Sequence, residues 1–96
     1  MEIKKTLEGT KLTVAVEGNL DTTTSPQLEN ELKLNGITEL ILDIGGVTYV
    51  SSAGLRVFLT ACKTMTAQGT MTIRNAQPAV LDIFQITGFS NIFHLE

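Results

Sequence analysis

Two adjacent serines, Ser51 and Ser52, stand where a strand-like run gives way to an amphipathic helical one. A serine at such a junction is first of all a helix N-cap. Its side-chain oxygen can accept one of the backbone N–H groups that the first turn leaves unpaired. The same place also suits an anion, because the open N–H groups and the positive end of the helix dipole point out of it. A phosphoryl group added to a serine hydroxyl there would find donors without disturbing the fold, and it would change the local charge by about −1.5 to −2. The residues thus permit a switch that alters binding while the domain stays folded. By themselves they do not single it out over a plain cap.

Other kinds of chemistry find fewer residues. The only histidine is His94 and the only cysteine is Cys62. Cys62 falls on the apolar side of a helical run, where a free cysteine behaves as a small hydrophobe. A Cys–His nucleophile would need the base beside an exposed thiolate. There is no CxxC, no histidine pair and no acidic cluster with EF-hand spacing, so no metal is expected. Gly45-Gly46 follows a strand-like run but belongs to no GxGxxG and has no Walker lysine beside it; it reads as a strand terminator. Asp21 and Asp43 could be considered as a carboxylate pair, but each reads more simply as a hydrogen-bonding turn residue at the end of a strand. No catalytic residue and no cofactor is assigned.

The elements that must position the serines follow from periodicity. Residues 2–7 and 11–18 alternate as strands do, and Glu8-Gly9-Thr10 between them reads as a hairpin turn. Asn19 to Thr24 is a polar loop. Ser25-Pro26 then opens a helix, with Ser25 as N-cap, Leu28, Leu32 and Leu34 on its inner side, and Asn35-Gly36 as its stop. Leu40 to Ile44 is a nearly continuous apolar run, as an interior strand tends to be. After Ser51-Ser52, residues Leu55, Phe58, Leu59, Cys62 and Met65 recur at steps of three and four and mark the buried side of a second helix, closed by Gln68-Gly69. Residues 70–74 alternate again, Pro78 starts a third helix that ends at Gly88, and residues 92–95 suit a short last strand. The order is ββαβαβα with one more β possible. It predicts an α/β fold: a mixed four- to five-stranded sheet with parallel pairing across right-handed crossovers and helices mainly on one face.

Composition bounds the rest. The chain has 96 residues, one small domain spanning 1–96, and 43% of them are apolar, enough for a modest core. Seven basic and ten acidic residues give a net charge of −3, without a basic footprint, which argues against nucleic acid as the main partner. A single cysteine fits a reducing compartment. Met1 to Lys5 is followed by no signal-peptide-like apolar stretch, and no apolar run reaches the roughly 20 residues of a membrane span. A cytoplasmic protein with no direct membrane insertion is expected.

The run LDIGGVTYVSSAGLRVFL, from Leu42 to Leu59, resembles the signature segment of STAS domains, the sulphate transporter and anti-sigma factor antagonist family. EGNLDTTTSPQLENEL is similar to that family's G-x-L-D, short loop and first helix, and GFSNIF to its closing segment. The resemblance covers essentially the whole chain. For a stand-alone domain of this length it implies the anti-sigma factor antagonist branch. A member of that branch binds a serine-kinase anti-sigma factor and frees a sigma factor. It is switched off when the kinase phosphorylates a serine at the start of the second helix, and a metal-dependent serine phosphatase restores it. In register with Gly54 and Leu55, the resemblance places the phosphorylated residue at Ser52. Ser51 stands where the family often has aspartate and remains a rival acceptor, and Ala53 replaces the family's second serine. Asp21 matches the aspartate in the loop beside the phosphosite. The partner-binding face expected from this register comprises Asp21, Thr22, Ser51, Ser52, Ala53 and Gly54, together with Arg56, Val57, Thr60 and Lys63 on the outer side of the second helix. Ala61 leans outward with Val57. The alternative is a STAS subunit of a membrane transport or lipid-trafficking complex. Such subunits often lack the phosphorylatable serine, so Ser52 counts against it. A small enzyme is a third reading, disfavoured by the missing catalytic set.

Overall fold

Gly9, at φ 63°, lets Gly9-Thr10 close a two-residue turn. In the computed structural model, which describes residues 1–96, this turn joins β1 (Glu2–Glu8) to β2 (Lys11–Leu20) as an antiparallel pair. Three further strands, β3 (Glu39–Val50), β4 (Thr70–Arg74) and β5 (His94–Leu95), add in parallel, so that sheet order equals sequence order. The crossovers are α1 (Ser25–Glu31), α2 (Ser52–Gln68) and α3 (Pro78–Thr87), the last followed by a 3-10 turn at Phe89–Asn91. When strands add in sequence order, each right-handed crossover steps the same way along the sheet, so all three helices land on one face.

The core lies between that face and the helices. Val14, Leu42 and Ile73 stand in register on β2, β3 and β4 and are buried, as are Leu28 of α1, Phe58 of α2 and Phe84 of α3, all in one apolar cluster. Phe58, Phe84 and Phe93 pack edge to face with ring centroids 6.2, 6.2 and 5.6 Å apart, the geometry that aromatic quadrupoles favour. Ile41 points to the opposite face, between Thr13 and Thr72, and is buried outside that cluster.

Four local expectations are corrected. Gly45-Gly46 does not end β3, which runs on to Val50. The register against β2 shifts twice, between Ala15 and Glu17 and between Gly18 and Asn19, so β3 carries extra residues there. A Cβ on Gly46 would stand 2.5 Å from Glu17 Cγ, so the glycine serves close strand contact rather than termination. The polar loop is shorter than read, since β2 continues through Asn19 to the buried Leu20. α1 stops at Glu31, and Leu34 is buried beyond its end.

The fourth correction concerns α2. Leu55, Phe58 and Met65 are buried as expected, but Leu59 and Cys62 are only half-buried, while Val57 and Ala61 are 4% exposed. α1 packs along the flank of α2 as well as the sheet beneath it, which widens the buried stripe toward Val57 and Ala61. At the other end of α2, a Cβ on Gly69 would come within 1.8 Å of the Thr38 carbonyl oxygen, so only glycine lets the chain drop from α2 into β4 beside the start of β3.

Candidate binding site at the start of the second helix

Parallel β2 and β3 end side by side, and the chain leaves both toward the helix layer. The Ser51 amide donates to the Leu20 carbonyl at 2.7 Å, which ties the end of β3 to the end of β2. Ser51 is in extended conformation, φ −82° and ψ 175°, and its Oγ accepts from the Gly54 amide at 3.3 Å. It is the N-cap of α2. Ser52 is the first helical residue and is exposed, whereas Ser51 is half-buried. The Leu55 amide goes to the Ser51 carbonyl at 2.9 Å. Ser52 and Ala53 therefore carry the amides still open at the helix N-terminus. Gly54 is held close: a Cβ there would stand 2.9 Å from Val50 Cγ1 and 3.0 Å from Leu20 Cβ. The first turn of α2 thus sits directly on the strand ends.

The loop from β2 to α1 is built by Asp21. Its Oδ1 accepts from the amides of Thr23 and Thr24 at 2.9 and 3.0 Å and from the Thr24 hydroxyl at 3.1 Å. The Asp21 amide donates back to Thr24 Oγ1 at 2.9 Å. This arrangement corrects the expected cap. The N-cap position of α1 is Thr24, whose hydroxyl is engaged within the loop and donates to the Asn19 carbonyl, while Ser25 is a buried first-turn residue whose Oγ has no hydrogen-bond partner. The Thr24 amide, foremost, holds the Asp21 carboxyl below the usual aspartate value; desolvation opposes it, and the Thr24 hydroxyl and Thr23 amide reinforce it. Because the folded pKa is depressed, this contribution to stability is present above the unfolded pKa and is lost as pH falls through the folded one. An NMR titration should give Asp21 a midpoint below the roughly 3.9 of an unstructured aspartate. Asp21→Ala should speed amide exchange at Thr23 and Thr24 while the sheet stays protected. A normal midpoint would show that the loop does not hold the carboxylate.

The residues expected at a binding face divide as follows. Thr22, Ala53, Arg56 and Val57 line one small cleft of about 150 Å3 between α1 and α2, together with Ser25, Pro26 and Glu29. Ser52 and Arg56 line a second groove of about 330 Å3 on the other flank of α2, whose remaining walls are Leu55, Leu59, Thr87 and Phe89. Arg56 is exposed and makes neither of the chain's two ion pairs, which join Lys5 to Glu31 and Arg74 to Glu96. Thr60 and Lys63 are exposed farther along α2. Gly54 and Val57 are the exceptions: Gly54 is buried against the ends of β2 and β3, and Val57 is buried on the flank facing α1, so neither offers the surface to a partner that helical spacing suggests. Thr87 and Phe89 lie outside the face expected from the sequence. They come from the far end of the chain, and no local pattern announces that α3 ends beside Ser52.

Asp21 and Asp43 do not form a pair. Asp43 sits within β3, between Ala15 and Arg74, and accepts from the Gly45 amide at 3.1 Å. Cys62 and His94 do line one open cavity of about 450 Å3 at the β4 edge, but no group of three metal-ligating side chains occurs. No helix is long and apolar enough to cross a membrane.

The whole arrangement has relatives. The STAS domain family model matches residues 2–96. BtrV of Bordetella bronchiseptica, named as an anti-sigma factor antagonist, is 36% identical over 86 residues, covering 85% of this chain and 74% of that protein. Among solved structures, the anti-sigma factor antagonist SpoIIAA in its unphosphorylated form superposes with a TM-score of 0.83 at 17% identity, over 99% of this chain and 88% of the other. The Bacillus cell fate determinant SpoIIAA in the phosphorylated form gives 0.76 at 16%, over 99% and 91%. The mixed five-stranded sheet with its helices on one face is the fold these structures share, and the chain belongs to the STAS domain family.

Proposed function

We propose that this protein is an anti-sigma factor antagonist that binds a serine-kinase anti-sigma factor in the cytoplasm and is switched off by phosphorylation of Ser52. It acts by binding and catalyses no reaction of its own; a metal-dependent serine phosphatase returns it to the binding form. The observation that carries this reading is the division of labour between the two serines. Ser51 spends its hydroxyl on the helix cap, while Ser52 is exposed at the first turn, with open amides beside it. BtrV, named as an anti-sigma factor antagonist, and SpoIIAA, an anti-sigma factor antagonist solved in both unphosphorylated and phosphorylated forms, support it.

Arg56 is the one charged side chain lining the groove beside Ser52, whose other walls are Leu55, Leu59, Thr87 and Phe89, so a kinase can pack closely there. A phosphate on Ser52 stands one turn from Arg56 on the same helix side, and the guanidinium can pair with it. The fold accommodates the new charge and the bound kinase does not. Arg56 and Lys63 are the cations on the outer side of α2, so reversing both with Arg56→Glu/Lys63→Glu should weaken kinase binding at least tenfold. Thermal stability should change little, since neither residue is buried or ion-paired. Isothermal titration against the purified kinase decides this. Unchanged affinity would place the interface elsewhere on the domain.

A further inference from the structure

The outer edge of the sheet is β1, and no element of the chain pairs beyond it. Its seven residues pair with β2 without a register shift. The hairpin turn fixes which backbone groups are free. Glu8 and Lys11 close a two-residue turn and so form a hydrogen-bonded pair. Alternating from there, Glu8, Thr6, Lys4 and Glu2 turn their N–H and C=O groups toward β2, and Leu7, Lys5 and Ile3 turn theirs outward. A regular, uncovered edge of this kind is a template for another strand unless something blocks it. The strand has no proline and no bulge. Lysines often guard such an edge, but Lys5 is folded back onto α1, its Nζ 2.9 Å from Glu31 Oε2.

We propose that β1 is a self-association edge, pairing antiparallel with β1 of a second copy about a two-fold axis through Thr6. Charge favours this register over its near neighbours; an axis through Ile3 also sets Lys4 against Glu2 twice, but it leaves the exposed Leu7 beyond the end of the second copy's β1. An axis through Lys5 sets that lysine against its own copy and Glu2 against Glu8. An axis through Lys4 sets two lysines together. An axis through Thr6 places Lys4 opposite Glu8 of the second copy, and does so twice, in the non-hydrogen-bonded positions where facing side chains come closest. Leu7, which is 62% exposed in the single chain, then lies against the aliphatic stem of Lys5 and diagonal to Ile3 of the second copy. The two five-stranded sheets become one continuous sheet. The start of α2 lies at the strand ends rather than along this edge, so the inference stands apart from the proposed function.

Sedimentation equilibrium on the full chain should show a monomer–dimer equilibrium from micromolar to submillimolar concentration. Lys4→Glu and Glu8→Lys should each raise the dissociation constant about tenfold or more, because each replaces two facing ion pairs by two like-charge contacts. The double swap Lys4→Glu/Glu8→Lys should restore it. In a Cys62→Ala background, Thr6→Cys should form a disulfide-linked dimer on mild oxidation and Lys5→Cys should not, since only the axial residue faces its own copy. Circular dichroism verifies that each variant is folded. A chain that stays monomeric throughout, a dimer indifferent to both single charge reversals, or cross-linking through Lys5→Cys instead of Thr6→Cys would overturn the proposal.

Discussion

The phosphorylated protein is expected to bind its partner kinase about a hundredfold or more weakly than the unmodified chain, a difference of about 3 kcal/mol or more. Three effects act together. A doubly charged group must be desolvated where the first turn of α2 had packed against the partner. Any acidic group of the partner drawn to Arg56 now meets a phosphate, and like charges brought together at an interface cost several kcal/mol. Arg56, one turn from Ser52 in the same groove, can pair with the phosphate and is then less available to the partner. Ser52→Ala should bind constitutively and stay bound in the presence of ATP. Ser52→Asp should weaken binding by less than the phosphate does, because a carboxylate brings less charge and one acceptor oxygen fewer. The fold should be unaffected in all three forms, since Ser51 and not Ser52 supplies the helix cap. Calorimetric titration with purified kinase checks the series. Equal affinity for the phosphorylated and unmodified chains would remove the switch.

Phe58→Ala is expected to cost about 3–5 kcal/mol of unfolding free energy, from the lost transfer term together with the cavity that remains. Phe58 is fully buried and meets both Phe84 and Phe93 edge to face, so the truncation strips α3 and the last turn of chain of their shared contact with α2. A domain of this size has a total stability on the order of 5–15 kcal/mol, so the truncation should remove a large share of that margin and lower the melting temperature markedly. Urea denaturation followed by circular dichroism measures the change. A loss below about 1 kcal/mol, the ordinary scale of a surface substitution, would mean that the aromatic cluster does not hold the helix layer on the sheet.

The element order was legible because each strand and helix keeps its own period. Leu40 to Ile44 reads as interior since apolar side chains fall on both faces, Ile41 sharing one with Asp43, and Gly9 and Gly88 sit at the positive φ values that a hairpin turn and a helix end demand. What was not legible depends on neighbours distant in the chain. Gly45-Gly46 reads as a stop in isolation; only Glu17 across the sheet shows that β3 bulges there and that a Cβ on Gly46 would collide. Helical spacing puts Val57 on the rim of α2, but α1 approaches from that flank and covers it. Ser25 looks like the cap of α1, yet the turn around Asp21 uses Thr24 instead and draws Ser25 inside.

The candidate site shows the same division. That a serine pair opens α2 was readable from pattern alone. Which serine caps the helix and which faces solvent depends on the extended backbone of Ser51 and its reach to the Gly54 amide. Phe89 and Thr87 join the groove beside Ser52 because α3 runs back across the sheet, a relation that no window of adjacent residues contains.

Mapping the phosphate tests the central claim most directly. The chain would be incubated with its kinase and ATP, digested, and sequenced by tandem mass spectrometry, beside Ser51→Ala and Ser52→Ala. The account predicts modification of Ser52 in the unmodified chain and in Ser51→Ala, and none in Ser52→Ala. Phosphate on Ser51 alone, or a Ser52→Ala protein labelled at the normal rate, would contradict it.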